Sequence, residues 1–144
     1  MINIMDRMVI LQKVIATISG LLITAGIPRS GARILAILYL VSMPLTIQEL
    51  ATLSGYSEST IFSALKLLKE RNLVTRLHSR GRALYTPSIS LSALITEAHS
   101  SIVERARNRL RSIRGEYNEV LGSKIRLLEH ELEALIRRLR GEEG

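Results

Sequence analysis

The chain has 144 residues, a net charge of +7, no cysteine, and 47% hydrophobic but only 3% aromatic residues, which leaves room for one domain and an appendage. Without cysteine there is no disulfide framework, zinc ribbon or thiol nucleophile; the histidines His78, His99 and His130 lie far apart and Asp6 is the single aspartate, so no catalytic residue, metal ligand or cofactor is expected. The charge is uneven, for residues 28–88 hold eight basic against three acidic residues, a net +5, while the flanking segments carry +1 each, which points to a polyanion partner for the middle of the chain.

At the N-terminus, Ile4, Met8, Leu11, Ile15, Ile18 and Leu22 step by threes and fours and predict one helical stripe. The uncharged run Val14 to Ile27 contains Gly20 and Gly26 and falls short of the roughly 20 apolar residues of a spanning helix, so a packing seam rather than a membrane segment is expected, with a cytoplasmic location, and a signal anchor is the minor alternative. Met5, Val9 and Leu21 widen the apolar surface beyond what one small domain covers, and a partner chain is expected against it.

From Pro28 the pattern changes. Ile34, Leu35, Ile37, Leu38, Leu40 and Val41 predict a short buried helix, led by Arg29, Ser30 and Arg33 and stopped at Met43-Pro44. Thr46 caps a second helix, IQELATLSG, and Ser57 a third, ESTIFSALKLLKERN, with a turn at Ser54-Gly55-Tyr56 between them. Ala51 is the small residue expected where two helices cross, Gly55 takes the positive φ of the turn, and Leu50, Tyr56, Ile61, Ala64, Leu65 and Leu68 point inward. Asn72 can end the third helix in a left-handed conformation. Leu73–Leu77 and Ala83–Pro87 then read as two strands joined by residues 78–82, a hairpin whose tip sets Arg80 and Arg82 around Gly81, as suits a phosphate backbone or a minor groove. Tyr85 is assigned to the core.

The C-terminal arm reads as helix almost throughout, with a seam of Leu91, Ile95, Ala98, Ile102, Ala106, Leu110, Ile113, Tyr117, Leu121, Ile125, Leu128, Leu132, Leu135 and Leu139. From Leu121 the spacing is heptad, with Glu129, Glu131, Glu133, Arg137, Arg138 and Arg140 outside the seam, and a kink or turn is expected near Gly115 or Gly122. The run Arg105, Arg107, Arg109, Arg111 and Arg114 reads as a solvated face paired with Glu104, Glu116 and Glu119. So long an amphipathic stripe needs a second chain to cover it.

The stretches GIPRSGARILAILYL, PLTIQELATLSGYSESTIFSALKLLKERNLVTRL and RGRALYTPS, over about residues 27–88, resemble the winged helix-turn-helix module of the MarR superfamily, nearest to GbsR-type regulators. The resemblance implies a mainly α fold: a winged helix-turn-helix domain with a two-stranded β wing at 28–88, flanked by dimerisation helices at 1–27 and 89–144. It implies a homodimer with the recognition helix in the major groove of double-stranded DNA and the wing in the flanking minor groove. By position, Ser57, Glu58, Ser59, Thr60, Phe62, Ser63 and Lys66 would face DNA, with Arg80 and Arg82 on the wing, and a small-molecule effector is permitted. Two departures, no arginine near Ser63 and Asn72 where glycine is usual, weigh against strong guanine readout from this helix.

The expected function is a dimeric, sequence-selective, double-stranded DNA-binding transcription regulator, a repressor rather than an enzyme. The alternatives are an architectural, chromatin-like DNA-binding protein of low specificity, which the scarcity of arginine on the third helix favours, and a winged-helix protein interaction module, which the +5 charge of the module disfavours.

Overall fold

A computed structural model describes residues 3–114 and 119–142. In chain order these form α1 (Ile4–Thr24), α2 (Arg29–Val41), α3 (Ile47–Ser54), α4 (Glu58–Glu70), β1 (Val74–Ser79), β2 (Arg82–Pro87), α5 (Leu91–Arg114) and α6 (Glu119–Leu139). The chain divides into two compact units, Met1–Leu91 and Ser92–Gly144, so that the N-terminal helix and the winged module fold as one body.

α2 is the hub of the first unit, packed on by α1, α3, α4 and β2. Ala32, Ile34, Leu35, Ala36, Ile37 and Leu38 are wholly buried there, joined by Leu50 of α3 and by Ile61, Leu65 and Leu68 of α4. α2 and α4 approach closely at Gly31, where a Cβ would lie 3.3 Å from Leu68 Cδ2 and 3.4 Å from Ile27 Cγ2. Ala51, expected at the crossing of α3 and α4, is half-buried.

The α1 stripe divides. Ile15 and Leu22 are buried and Leu11 and Ile18 half-buried, whereas Ile4 and Met8 are exposed, because α2 is 13 residues long and cannot cover a helix of 21. Begun at Ile4 instead of Val14, α1 is by length and composition long and apolar enough to cross a membrane. The expectation that the apolar segment is too short is corrected on that point, since it counted only the uncharged part of the helix.

Local hydrogen bonding sets the helix ends. Thr46 Oγ1 accepts from Glu49 N at 3.1 Å while Glu49 Oε1 accepts from Thr46 N at 3.0 Å, a reciprocal capping box that starts α3. Gly55 closes α3 at φ 81°, Ser57 Oγ accepts from Thr60 N at 3.2 Å to start α4, and Asn72 turns the chain at φ 60°.

β1 and β2 pair antiparallel from Val74↔Pro87 to Ser79↔Arg82. The link expected to be five residues long is only two, Arg80 and Gly81, at φ 52° and 75°, the double left-handed geometry of a type I′ turn that matches the strand twist. Leu45 forms a further bridge to Tyr85 through N–H···O contacts of 3.0 and 2.8 Å, which fastens the root of the hairpin to the segment before α3. Tyr85 is buried, as its core assignment requires.

In the second unit α5 and α6 are joined by ion pairs: Arg107–Glu133 and Arg111–Glu133 at 3.1 Å, Arg114–Glu129 at 2.9 Å, Arg111–Glu129 at 3.5 Å and Arg140–Glu104 at 2.6 Å. Later positions on α5 meet earlier ones on α6, so the helices run antiparallel. Arg107, Arg111 and Arg114 of the arginine run are thus partnered by Glu129 and Glu133 of α6, and Glu104, expected to pair with the run, pairs with Arg140; Glu116 and the side chain of Glu119 lie outside the described residues. Glu129, expected outside the seam, is buried beside Ile125 and Ile136, and Leu121 and Leu128, expected within it, are 44% and 50% exposed. A hairpin partner covers one edge of the stripe that a symmetric heptad contact would have centred. α6 runs through Gly122 without a break, and Gly115 lies outside the described residues.

Candidate nucleic-acid interface

α4 has two sharply different faces. Ile61, Ala64, Leu65 and Leu68 are buried, and Ser59, Phe62, Ser63 and Lys66 are exposed. At 100° per residue, Ser59, Ser63 and Lys66 stand directly opposite the buried stripe and Phe62 on one flank of it. That flank borders a groove lined by Phe62, Leu65, Lys66, Lys69, Arg76 and Tyr85, which joins α4 to the wing strands. Glu58 is exposed in the first turn.

Two of the nine expected contact residues have a structural task as well. Ser57 is the N-cap of α4, and its hydroxyl donates to Thr60 Oγ1 at 3.0 Å besides accepting from the Thr60 N–H, so both hydroxyls already take part in the cap. Arg80 and Arg82 are exposed at the hairpin tip. Arg82 also borders a cleft with Thr46, Ile47, Gln48, Gly81 and Ala83 at the start of α3. The Glu49 carboxyl is held below the ordinary glutamate range first by the Thr46 backbone N–H, then by the Thr46 hydroxyl, and least by the positive charge of Arg82.

The basic residues of residues 28–88 divide by role. Arg33 donates from Nε to Ser54 O at 3.0 Å and from Nη2 to Gln12 Oε1 at 3.1 Å, tying α1 and α2 to the helix-turn-helix bend. Arg71 donates to Gly26 O at 3.2 Å. Arg29, Lys66, Lys69, Arg76, Arg80 and Arg82 remain as exposed cations of this module. Lys69 and Arg76 were absent from the expected set; Lys69, one helical turn beyond Lys66, and Arg76, an outward position on a strand, could have been found by periodicity alone.

An interface of this kind holds cations for phosphates and hydroxyl, apolar and acidic groups for base edges. Residues 25–83 match the model of the MarR family. No curated protein matches the chain. Similar solved structures include a transcriptional regulator, 14% identical, with a TM-score of 0.63 over 91% of this chain and 93% of that one. They also include a transcriptional regulator from Thermotoga maritima (23% identity, TM-score 0.47, 90% of this chain and 93% of that one). A third is MepR, a transcription regulator of the Staphylococcus aureus multidrug efflux pump MepA (18% identity, TM-score 0.48, 88% and 93%). The segment from residue 25 to residue 83 is therefore a match to the MarR family, set in a mainly helical, winged helix-turn-helix fold shared with a solved transcriptional regulator.

Proposed function

We propose that the protein is a homodimeric transcription regulator that binds double-stranded DNA sequence-selectively in the cytoplasm and acts as a repressor, of the GbsR type that the sequence most resembles. The observation that carries this reading is the joining of the polar outward face of α4 to a groove edged by Lys66, Lys69 and Arg76, on a module whose sequence matches the MarR family model and whose fold is shared with a transcriptional regulator. In the proposed complex Ser59, Ser63 and Lys66 face base edges, Glu58 and the Ser57–Thr60 cap approach from the start of α4, and Arg80 and Arg82 contact the flanking backbone or minor groove. The exposed apolar residues of α1 and of α6, Met5, Val9, Leu121 and Leu128 among them, supply the surface for a second copy.

A second reading, an architectural protein of broad DNA affinity, is favoured by one observation: α4 holds no arginine. Binding of duplex DNA measured by fluorescence polarisation at two salt concentrations, followed by footprinting on genomic fragments, tests both. Affinity that falls steeply with salt, together with discrete footprints, supports the regulator. Continuous coverage selects the architectural reading, and the absence of salt-dependent binding overturns both.

A further inference from the structure

Phe62 is the only phenylalanine in the chain, and it stands on the outer half of α4 with 60% of its surface exposed. Single exposed apolar side chains are common on proteins. This one is set apart by its neighbours: Ser59, Ser63 and Lys66 share the outward face, and Lys69 and Arg76 line a groove with it. If α4 enters a major groove, the cations address phosphates, which carry no sequence information, and serine hydroxyls accept from or donate to several bases. α4 carries no arginine to fork onto guanine and no asparagine or glutamine to fork onto adenine. The major-groove edge of B-DNA displays one apolar group, the C5-methyl of thymine.

We propose that Phe62 is a specificity-determining residue that selects thymine by packing its ring against that methyl group. The inference rests on the DNA-binding reading above and adds to it the base that is read and the atom that is recognised. Its position supports the assignment: the methyl projects at the groove edge nearest its own strand's backbone, and Phe62 lies on the flank of α4 that carries the basic groove, where a strand backbone would run. Covering one methyl removes about as much apolar surface as one buried CH₂, about 0.8 kcal/mol, which is about fourfold in affinity for each thymine contacted.

The test uses the full chain and duplexes of equal length: alternating dA-dT, alternating dA-dU, which lacks only the methyl groups, and alternating dG-dC with and without 5-methylcytosine. Wild-type protein should bind dA-dT at least about fourfold more tightly than dA-dU, and cytosine methylation should strengthen binding. Phe62→Ala, checked by circular dichroism for an unchanged fold, should bind dA-dT and dA-dU equally, and Phe62→Leu should keep part of the difference. Equal binding of dA-dT and dA-dU by the wild type, or a preference for dA-dT that persists in Phe62→Ala, overturns the proposal while leaving DNA binding itself intact. Failure of the wild type to bind any of these duplexes at low salt overturns the DNA-binding reading and this proposal with it.

Discussion

Ile61 and Ser63 lie two positions apart on α4, one fully buried and the other exposed. Ile61→Ala opens a cavity beneath α2 and should destabilise the protein by about 2 to 4 kcal/mol, with DNA affinity lost only as the fold is lost. Ser63→Ala should leave the melting temperature within a degree or so and cost about 1 kcal/mol at a cognate site. If the two effects were exchanged, the outward face assigned to α4 would be rotated from its true position. Arg80 poses a different conflict, because at φ 52° it occupies a left-handed position that favours glycine or asparagine. Arg80→Gly should raise stability by up to about 1 kcal/mol and weaken binding to specific and random duplexes by similar factors. Thermal unfolding and polarisation titrations on one preparation check both halves, and a loss of stability would mean that the arginine is held by contacts stronger than its backbone strain.

At the scale of elements, the start of α3 depends on an ionised side chain. The folded-state pKa of Glu49 lies below its unfolded value, so its contribution is present above the ordinary glutamate range and is lost as pH falls through the lowered folded value. Glu49→Gln keeps an acceptor for the capping box but cannot titrate. Melting temperature plotted against pH should therefore fall less steeply across the acid range for this variant than for the wild type, and parallel curves would deny Glu49 a part in acid sensitivity. In the α5–α6 hairpin, Glu129 is buried with Oε2 held by Arg114 and Arg111, while Oε1 meets no hydrogen-bond partner among the described residues. Such a carboxylate costs desolvation that its ion pairs only partly offset. Arg114→Ala should lower stability by about 1 to 3 kcal/mol, since the remaining charge stays buried. Glu129→Leu, which removes charge and unmet oxygen together, should be neutral or stabilising by about 1 kcal/mol or more. Calorimetry on both variants decides between this account and one in which the ion pair is a net stabiliser.

For the whole molecule, the question is which apolar surface a second copy would cover. Met5 and Val9 are 74% and 52% exposed on α1, whereas Ile15 is 3% exposed within the core. Met5→Glu combined with Val9→Glu should shift the proposed dimer toward monomer in sedimentation equilibrium without loss of helical signal, while Ile15→Glu should unfold the first unit outright. A double variant that sediments as the wild type would exclude this face from the assembly.

What the sequence determined by itself is what is decided within a few residues. Thr46 with Glu49, Ser57 with Thr60, Gly55 and Asn72 each act on backbone three or four positions away or on their own φ, so the helix ends and the helix-turn-helix were legible, as was the division of α4 into an inward and an outward face. The hairpin was legible as well, though not its two-residue turn, because nothing local announces an arginine at positive φ. Tertiary structure alone decided the rest. Gly31 meets Leu68, Leu45 bridges Tyr85 and Arg33 reaches Gln12 and Ser54 across separations of 20 residues or more, which no short-range spacing encodes. In α6, steps of three and four fit more than one helical face, and antiparallel pairing with α5 brought Glu129 inward and left Leu121 and Leu128 exposed. Periodicity identifies an amphipathic helix, but where its stripe is cut depends on the neighbour that covers it.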